Sequence, residues 1–154
     1  MFSEANLKNI DELKKRYPTT QAAVLPVLWL AQEQYGHISE ETMKEVANLL
    51  ELPFAHVLGV VTFYTMFHAR PLGKRHIEVC TNVSCMLRGS GKILEHLRRR
   101  LGIGVGETSD DGKWTISEVE CMGSCGTAPM FAVGEEYYEN LTTEKVDEIL
   151  EQLK

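Results

Sequence analysis

Leu7, Ile10 and Leu13 recur at helical spacing among acidic and basic residues, which predicts an amphipathic first helix. Tyr17-Pro18 ends it, because proline disfavours helical geometry in the residue before it. Thr19 or Thr20 is placed to cap a second helix that carries Ala22, Ala23, Val24, Leu25, Val27, Leu28, Trp29, Leu30 and Ala31. That helix is apolar nearly all round, the pattern of a buried central element. Pro26 falls within its first two turns, so it either kinks the helix or marks its true start, and Gly36 stops it. Ser39 has N-cap chemistry, with Glu40 and Glu41 favourably placed against the helix dipole. The third helix then runs to about Glu51 on Met43, Val46, Ala47, Leu49 and Leu50. Leu52-Pro53 starts a fourth, with proline at a natural first helical position and Val57, Leu58 and Val61 as its apolar set.

The segment Thr62-Phe63-Tyr64-Thr65-Met66-Phe67 is dense in aromatics. Core packing is its ordinary reading; its functional reading is a partner surface, where Tyr, Phe and Met are enriched. Arg70-Pro71-Leu72-Gly73-Lys74 breaks the helical pattern, and the domain boundary is placed there, with a helical partner-binding domain over 1–72 and a second domain over 73–154.

Beyond the break the period changes. His76-Ile77-Glu78-Val79 alternates as a strand does and delivers Cys80 at its end. Gly89-Ser90-Gly91 leads into a helix with Ile93, Leu94, Leu97 and Leu101 on one face, broken by glycines at 102, 104 and 106. Asp110-Asp111-Gly112 turns into the strand 113–119, which delivers Cys121. A strand over 129–133 turns at Gly134-Glu135-Glu136 and returns through Tyr137-Tyr138. A last helix from Thr142 or Thr143 carries Val146, Ile149, Leu150 and Leu153. The order β-α-β-β-α predicts a small sheet whose first two strands are parallel with a right-handed crossover. Both cysteine loops then follow strand ends and converge at one sheet edge.

Composition adds bounds. The chain has 154 residues, 44% apolar and 25% charged, as a folded protein has, and a formal net charge of −6 that argues against nucleic acid as a partner. Arg98-Arg99-Arg100 closes a helix, where cations are ordinary. No apolar run approaches the roughly 18 residues of a membrane span. The N-terminus also lacks the basic-then-apolar pattern of a secretory signal. A cytosolic chain without direct membrane insertion is expected, a setting in which structural disulfides are uncommon. A peripheral place on a membrane complex stays open.

All four cysteines lie in two short loops, Cys80-Thr-Asn-Val-Ser-Cys85 and Cys121-Met-Gly-Ser-Cys125. Four thiolates in two close pairs make a ligand set for a soft metal centre, either tetrahedral zinc or an iron–sulfur cluster. A four-residue gap also opens the plant-type [2Fe–2S] loop. Small and turn-forming residues (Thr81, Asn82, Ser84, Gly123, Ser124, Gly126) suit a loop that wraps a cluster and aims N–H groups at sulfur. Zinc, disulfides and a redox dithiol remain as alternatives on spacing alone, although a thioredoxin-type dithiol usually has two intervening residues. The run Gly102-Ile103-Gly104-Val105-Gly106 ends a helix, where a dinucleotide loop would open one, and the five histidines show no ligand spacing.

Val79-Cys80-Thr81-Asn82-Val83-Ser84-Cys85-Met86-Leu87-Arg88-Gly89 and Glu120-Cys121-Met122-Gly123-Ser124-Cys125-Gly126-Thr127-Ala128-Pro129-Met130 carry a family resemblance. So do Leu30-Ala31-Gln32-Glu33 with Gly36, and the segment 60–67. Over nearly its whole length the chain resembles the 24-kDa-type, or E-type, subunits of NADH:quinone oxidoreductase, respiratory complex I. The resemblance implies an α+β chain, an N-terminal helical bundle followed by a thioredoxin-like [2Fe–2S] ferredoxin domain. It implies one [2Fe–2S] cluster of the N1a type on Cys80, Cys85, Cys121 and Cys125. Each short loop is expected to chelate one iron, and no residue of this chain is expected to be catalytic. The implied partners are a flavin-binding subunit carrying FMN, the NADH site and a [4Fe–4S] cluster, and the other peripheral-arm subunits on the cytoplasmic side of the membrane. The same module occurs in NAD-linked formate dehydrogenases and NAD-reducing hydrogenases. Ser124 stands where the family often has alanine, and a hydroxyl there is expected to hydrogen-bond near sulfur. Glu78, Glu118 and Glu120 are expected to push the potential down where they lie close.

Overall fold

A computed structural model describes residues 1–154, which divide into two compact units, Met1–Pro71 and Leu72–Lys154.

The first unit is four helices. Helix α1, Glu4–Arg16, starts where the Ser3 hydroxyl accepts the Asn6 N–H, and its last turn carries Lys14, Lys15 and Arg16 against the helix dipole. Thr19 caps a short 3-10 turn over Thr20–Ala23, and α2, Val24–Tyr35, follows directly. Pro26 is thus the third residue of α2, where an N–H has no intrahelical acceptor; it marks the start and breaks no hydrogen bond. Val24, Val27, Leu28 and Ala31 are buried, but Trp29 is 42% exposed. The expectation of a helix buried all round is corrected: α2 has one core face and one face turned outward. Gly36, at φ 78°, closes it.

Ser39 caps α3, Glu40–Leu50, by accepting the Thr42 N–H, and Pro53 immediately precedes α4, Phe54–Phe63. The unit's core gathers Ile10, Val27, Leu28, Val46, Leu50 and Val57 from all four helices. Full burial of each such side chain contributes about 1.5–3 kcal/mol. The aromatic segment divides. Phe67 is buried with Trp29 edge-on to it at 5.6 Å, while Phe63 (77% exposed), Tyr64 and Met66 remain on the surface.

The second unit is a four-stranded sheet with helices. Its elements are β1 (Arg75–Cys80), α5 (Val83–Leu87), α6 (Ser90–Leu101), β2 (Trp114–Val119), β3 (Phe131–Val133), β4 (Glu136–Tyr138) and α7 (Thr143–Gln152). Strand order is β2-β1-β3-β4. Strands β1 and β2 are parallel, in register from Arg75 opposite Trp114 to Cys80 opposite Val119, and β3 and β4 form an antiparallel hairpin beside β1. Ile77 and Val79 alternate toward the core that Ile93 and Leu97 of α6 and Val146 and Leu150 of α7 complete. Gly73 is required at the entry to β1, since a Cβ there would come within 2.7 Å of the Trp114 backbone nitrogen. No helix is long and apolar enough to cross a membrane.

Candidate metal centre

Parallel pairing of β1 and β2 brings both strand ends to one edge of the sheet. Cys80 is the last residue of β1, opposite Val119, and Cys121 follows the end of β2 by two residues. Cys85 lies within α5, a short helix where the spacing predicts a loop. Asn82 is its cap: the Asn82 carbonyl accepts the Met86 N–H at 2.8 Å.

Three links join the two cysteine loops. The Asn82 amide donates to the Glu120 carboxylate. Arg88 Nε donates to the carbonyl of the fully buried Ala128 at 2.6 Å. The Thr81 N–H donates to the Val119 carbonyl at 3.1 Å. Each link spans residues about 40 apart in sequence, so the loops are held as one unit by tertiary contacts.

All four thiols are free. Cys80 and Cys85 are 3% and 2% exposed and pack with Ala128 and Met130, while Cys121 and Cys125 are exposed. The Cys121 and Cys125 sulfurs are 3.5 Å apart, and the Gly123 N–H points at the Cys121 sulfur from 3.4 Å. Gly123 takes φ 85° to do so, a conformation glycine reaches without strain. Burial pushes the Cys85 thiol up to about 11, and the neighbouring Cys80 and Cys125 sulfurs add to the rise. The four thiols therefore form a chain of neighbours, a buried pair beside an exposed pair. No three His, Cys, Asp or Glu side chains converge as ligands of a single ion.

This donor set fits a dinuclear iron–sulfur centre: four soft sulfurs, grouped two and two, with a backbone N–H already aimed at one of them. The thioredoxin-like [2Fe-2S] ferredoxin family model matches residues 10–154.

The chain belongs to the thioredoxin-like [2Fe-2S] ferredoxin family.

The family's cofactor is a [2Fe–2S] cluster. The chain is 42% identical over 147 residues to an NADH-quinone oxidoreductase E-type subunit of Rhizobium meliloti, the second such subunit numbered there, covering 96% of this chain and 88% of that one. It is 41% identical over 156 residues to the NADH-quinone oxidoreductase E-type subunit of Rickettsia conorii, covering 99% and 93%. In fold it is similar to a chain of an NAD+-reducing [NiFe]-hydrogenase crystal structure in the air-oxidized state. The TM-score is 0.71 at 19% identity, over 84% of this chain and 22% of that one.

Around the thioredoxin-like ferredoxin site, one sequence expectation needs correction. The Ser124 hydroxyl donates to the Glu139 carboxylate and sits 2.7 Å from Thr127 Oγ1; it is engaged away from sulfur. Glu78 is half-buried, and burial pushes its carboxyl above the usual range. Glu139 lies 15 residues from Ser124, and nothing in local spacing points to it. Gly102 closes α6 at φ 68°, so the glycine run ends a helix.

Proposed function

We propose that this chain is the electron-carrying E-type subunit of an NADH:quinone oxidoreductase, and that Cys80, Cys85, Cys121 and Cys125 hold its single [2Fe–2S] cluster. The observation that carries the reading is the meeting of all four free thiols, as two pairs, at the β1–β2 edge. Bound there, the cluster supplies one-electron transfer at low potential. The chain's own residues build the site around that chemistry. Cys80 and Cys85 root it in the core, and the Gly123 N–H stabilises negative charge on sulfur. Cys121 and Cys125 lie at the surface, where a partner's redox group can approach. No residue acts as acid, base or nucleophile, so catalysis belongs to the partner.

That partner is a flavin subunit carrying FMN, the NADH site and a [4Fe–4S] cluster, within the peripheral arm on the cytoplasmic side of the membrane. The helical domain over 1–72 binds it, with exposed Phe63, Tyr64 and Met66 as the anchor.

The test is an absorption and EPR spectrum of the anaerobically purified full chain, with iron, sulfide and zinc assayed alongside. Two irons, two sulfides and a signal on reduction are expected; a colourless protein with zinc and no sulfide would overturn the reading. Alanine at Phe63 and Tyr64 is expected to reduce co-purification with the flavin subunit, and full retention would remove the helical domain as the anchor.

A further inference from the structure

The second cysteine loop is braced from the segment that follows β4. The Ser124 hydroxyl donates to Glu139 Oε1, and Thr127 Oγ1 donates to the same oxygen at 2.6 Å. The brace continues along the backbone: the Asn140 N–H donates to the Thr127 carbonyl at 2.6 Å, and the Leu141 N–H to the Pro129 carbonyl at 3.0 Å. Residues 139–141 thus run beside 124–129 as a splint. Asn140 sits at φ 48°, a left-handed conformation that asparagine tolerates better than most residues. Lys145 Nζ donates to the Glu139 carbonyl at 2.6 Å and ties the splint to the first turn of α7.

One carboxylate oxygen taking two hydroxyl donors makes short, charge-assisted hydrogen bonds, stronger than neutral ones. The donors are the residue before Cys125 and the residue two after it. The carboxylate is therefore fixed beside the loop that presents Cys121 and Cys125. Reduction adds an electron to a centre already surrounded by thiolates. A fixed anion next to it disfavours the reduced form.

We propose that Glu139 is a positioning residue of the cluster site. Through Ser124 and Thr127 it holds the Cys121–Cys125 loop in its ligating shape, and its carboxylate lowers the reduction potential. The inference rests on the reading of the four cysteines as cluster ligands.

Glu139→Gln in the full, cluster-loaded chain keeps an oxygen acceptor for both hydroxyls and removes the charge. The readouts are the midpoint potential, from an EPR-monitored redox titration, and the iron and sulfide content. The expected result is wild-type content with a raised potential. The reduced-to-oxidised ratio at a fixed poise should change by roughly three- to tenfold, tenfold being about 59 mV for one electron. An unchanged potential in the loaded protein overturns the electrostatic role. Ser124→Ala keeps the charge and loosens its tether; cluster loss to a chelator is expected to be several-fold faster, and a wild-type rate overturns the positioning role. Should Glu139→Gln fail to load, the chelator rate of Ser124→Ala decides, with several-fold faster cluster loss supporting the inference and a wild-type rate overturning it. A wild-type chain without iron or sulfide would overturn the ligand reading itself, an outcome distinct from any of these.

Discussion

Removing the cluster should expose a sharp difference among the four thiols. Cys85 is 2% exposed, and burial with the neighbouring Cys80 and Cys125 sulfurs raises its thiol from the ordinary 9.0 to about 11. Thiolate is the reactive form in alkylation. At about pH 8 an ordinary thiol is roughly one-tenth ionised and Cys85 roughly one-thousandth, a difference of about a hundredfold before access is counted. Cys121 and Cys125 lie exposed. The assay is a brief iodoacetamide pulse on the reduced, cluster-free chain, followed by peptide mass spectrometry. Peptides with Cys121 and Cys125 should be labelled at least about tenfold ahead of the Cys85 peptide, with Cys85 labelling climbing steeply between about pH 9 and 11. Labelling of Cys85 in step with Cys121 at about pH 8 would refute the reasoning. The same shift has a stability consequence of definite sign. The unfolded chain ionises Cys85 near 9 and the folded chain near 11, so this contribution is whole below pH 9 and is lost as pH rises through 11. With Cys85 as a cluster ligand, as proposed, metal incorporation displaces that proton, so loading should improve as pH rises.

Other outcomes follow from single contacts. Arg88→Ala leaves the buried Ala128 carbonyl without its charged donor, a loss of about 1.5–3 kcal/mol. Cluster absorbance should decay about tenfold faster under a chelator, and an unchanged decay would discount the link between the loops. Leu97→Ala empties a fully buried site on α6 and should cost about 2–5 kcal/mol, while Leu58→Ala, at a part-exposed position on α4, should cost under about 1 kcal/mol. Urea unfolding by circular dichroism would read both, and equal costs would contradict the assigned core. The Asp147 carboxyl is held below its usual 3.8, chiefly by the hydrogen bond from His96 at 2.9 Å, with the His96 and Arg100 charges adding to it. Its contribution is therefore present above pH 3.8 and lost as pH falls through the depressed value. Asp147→Asn should flatten the acid limb of a melting-temperature profile between about pH 2 and 6, and an identical limb would exclude the pair as its source.

The fold is legible where its causes are local. Ser39 and Thr142 cap helices because a hydroxyl meets an N–H three residues on, and Tyr17-Pro18 and Gly36 end them through backbone sterics alone. The alternation of His76 to Val79 and the change of period after Gly73 are likewise properties of the chain within a few residues, and so is the grouping of cysteines that points to a soft metal. Trp29 departs from its expected burial because periodicity reports apolar character but does not say which neighbours exist to cover it. Helix α5 escapes a reading by period because five residues carry too little of it to declare themselves.

The site's electrostatics needed the tertiary structure. The sequence presents four equivalent cysteines, and the fold makes two buried and two exposed because β1 ends in the core while the 121–125 loop leaves it. Ser124 reads along the chain as a hydroxyl beside sulfur, yet it serves Glu139, brought to it by the β3–β4 hairpin. Arg88 meets Ala128, and Asn82 meets Glu120, only because β1 and β2 run parallel and end together. Backbone sterics and hydrophobic period act within a turn or a strand, and so are written in order along the chain. Burial, charge and hydrogen-bond partnership at this site act between residues 12 to 40 apart, and only the packing of the sheet decides which of those meet.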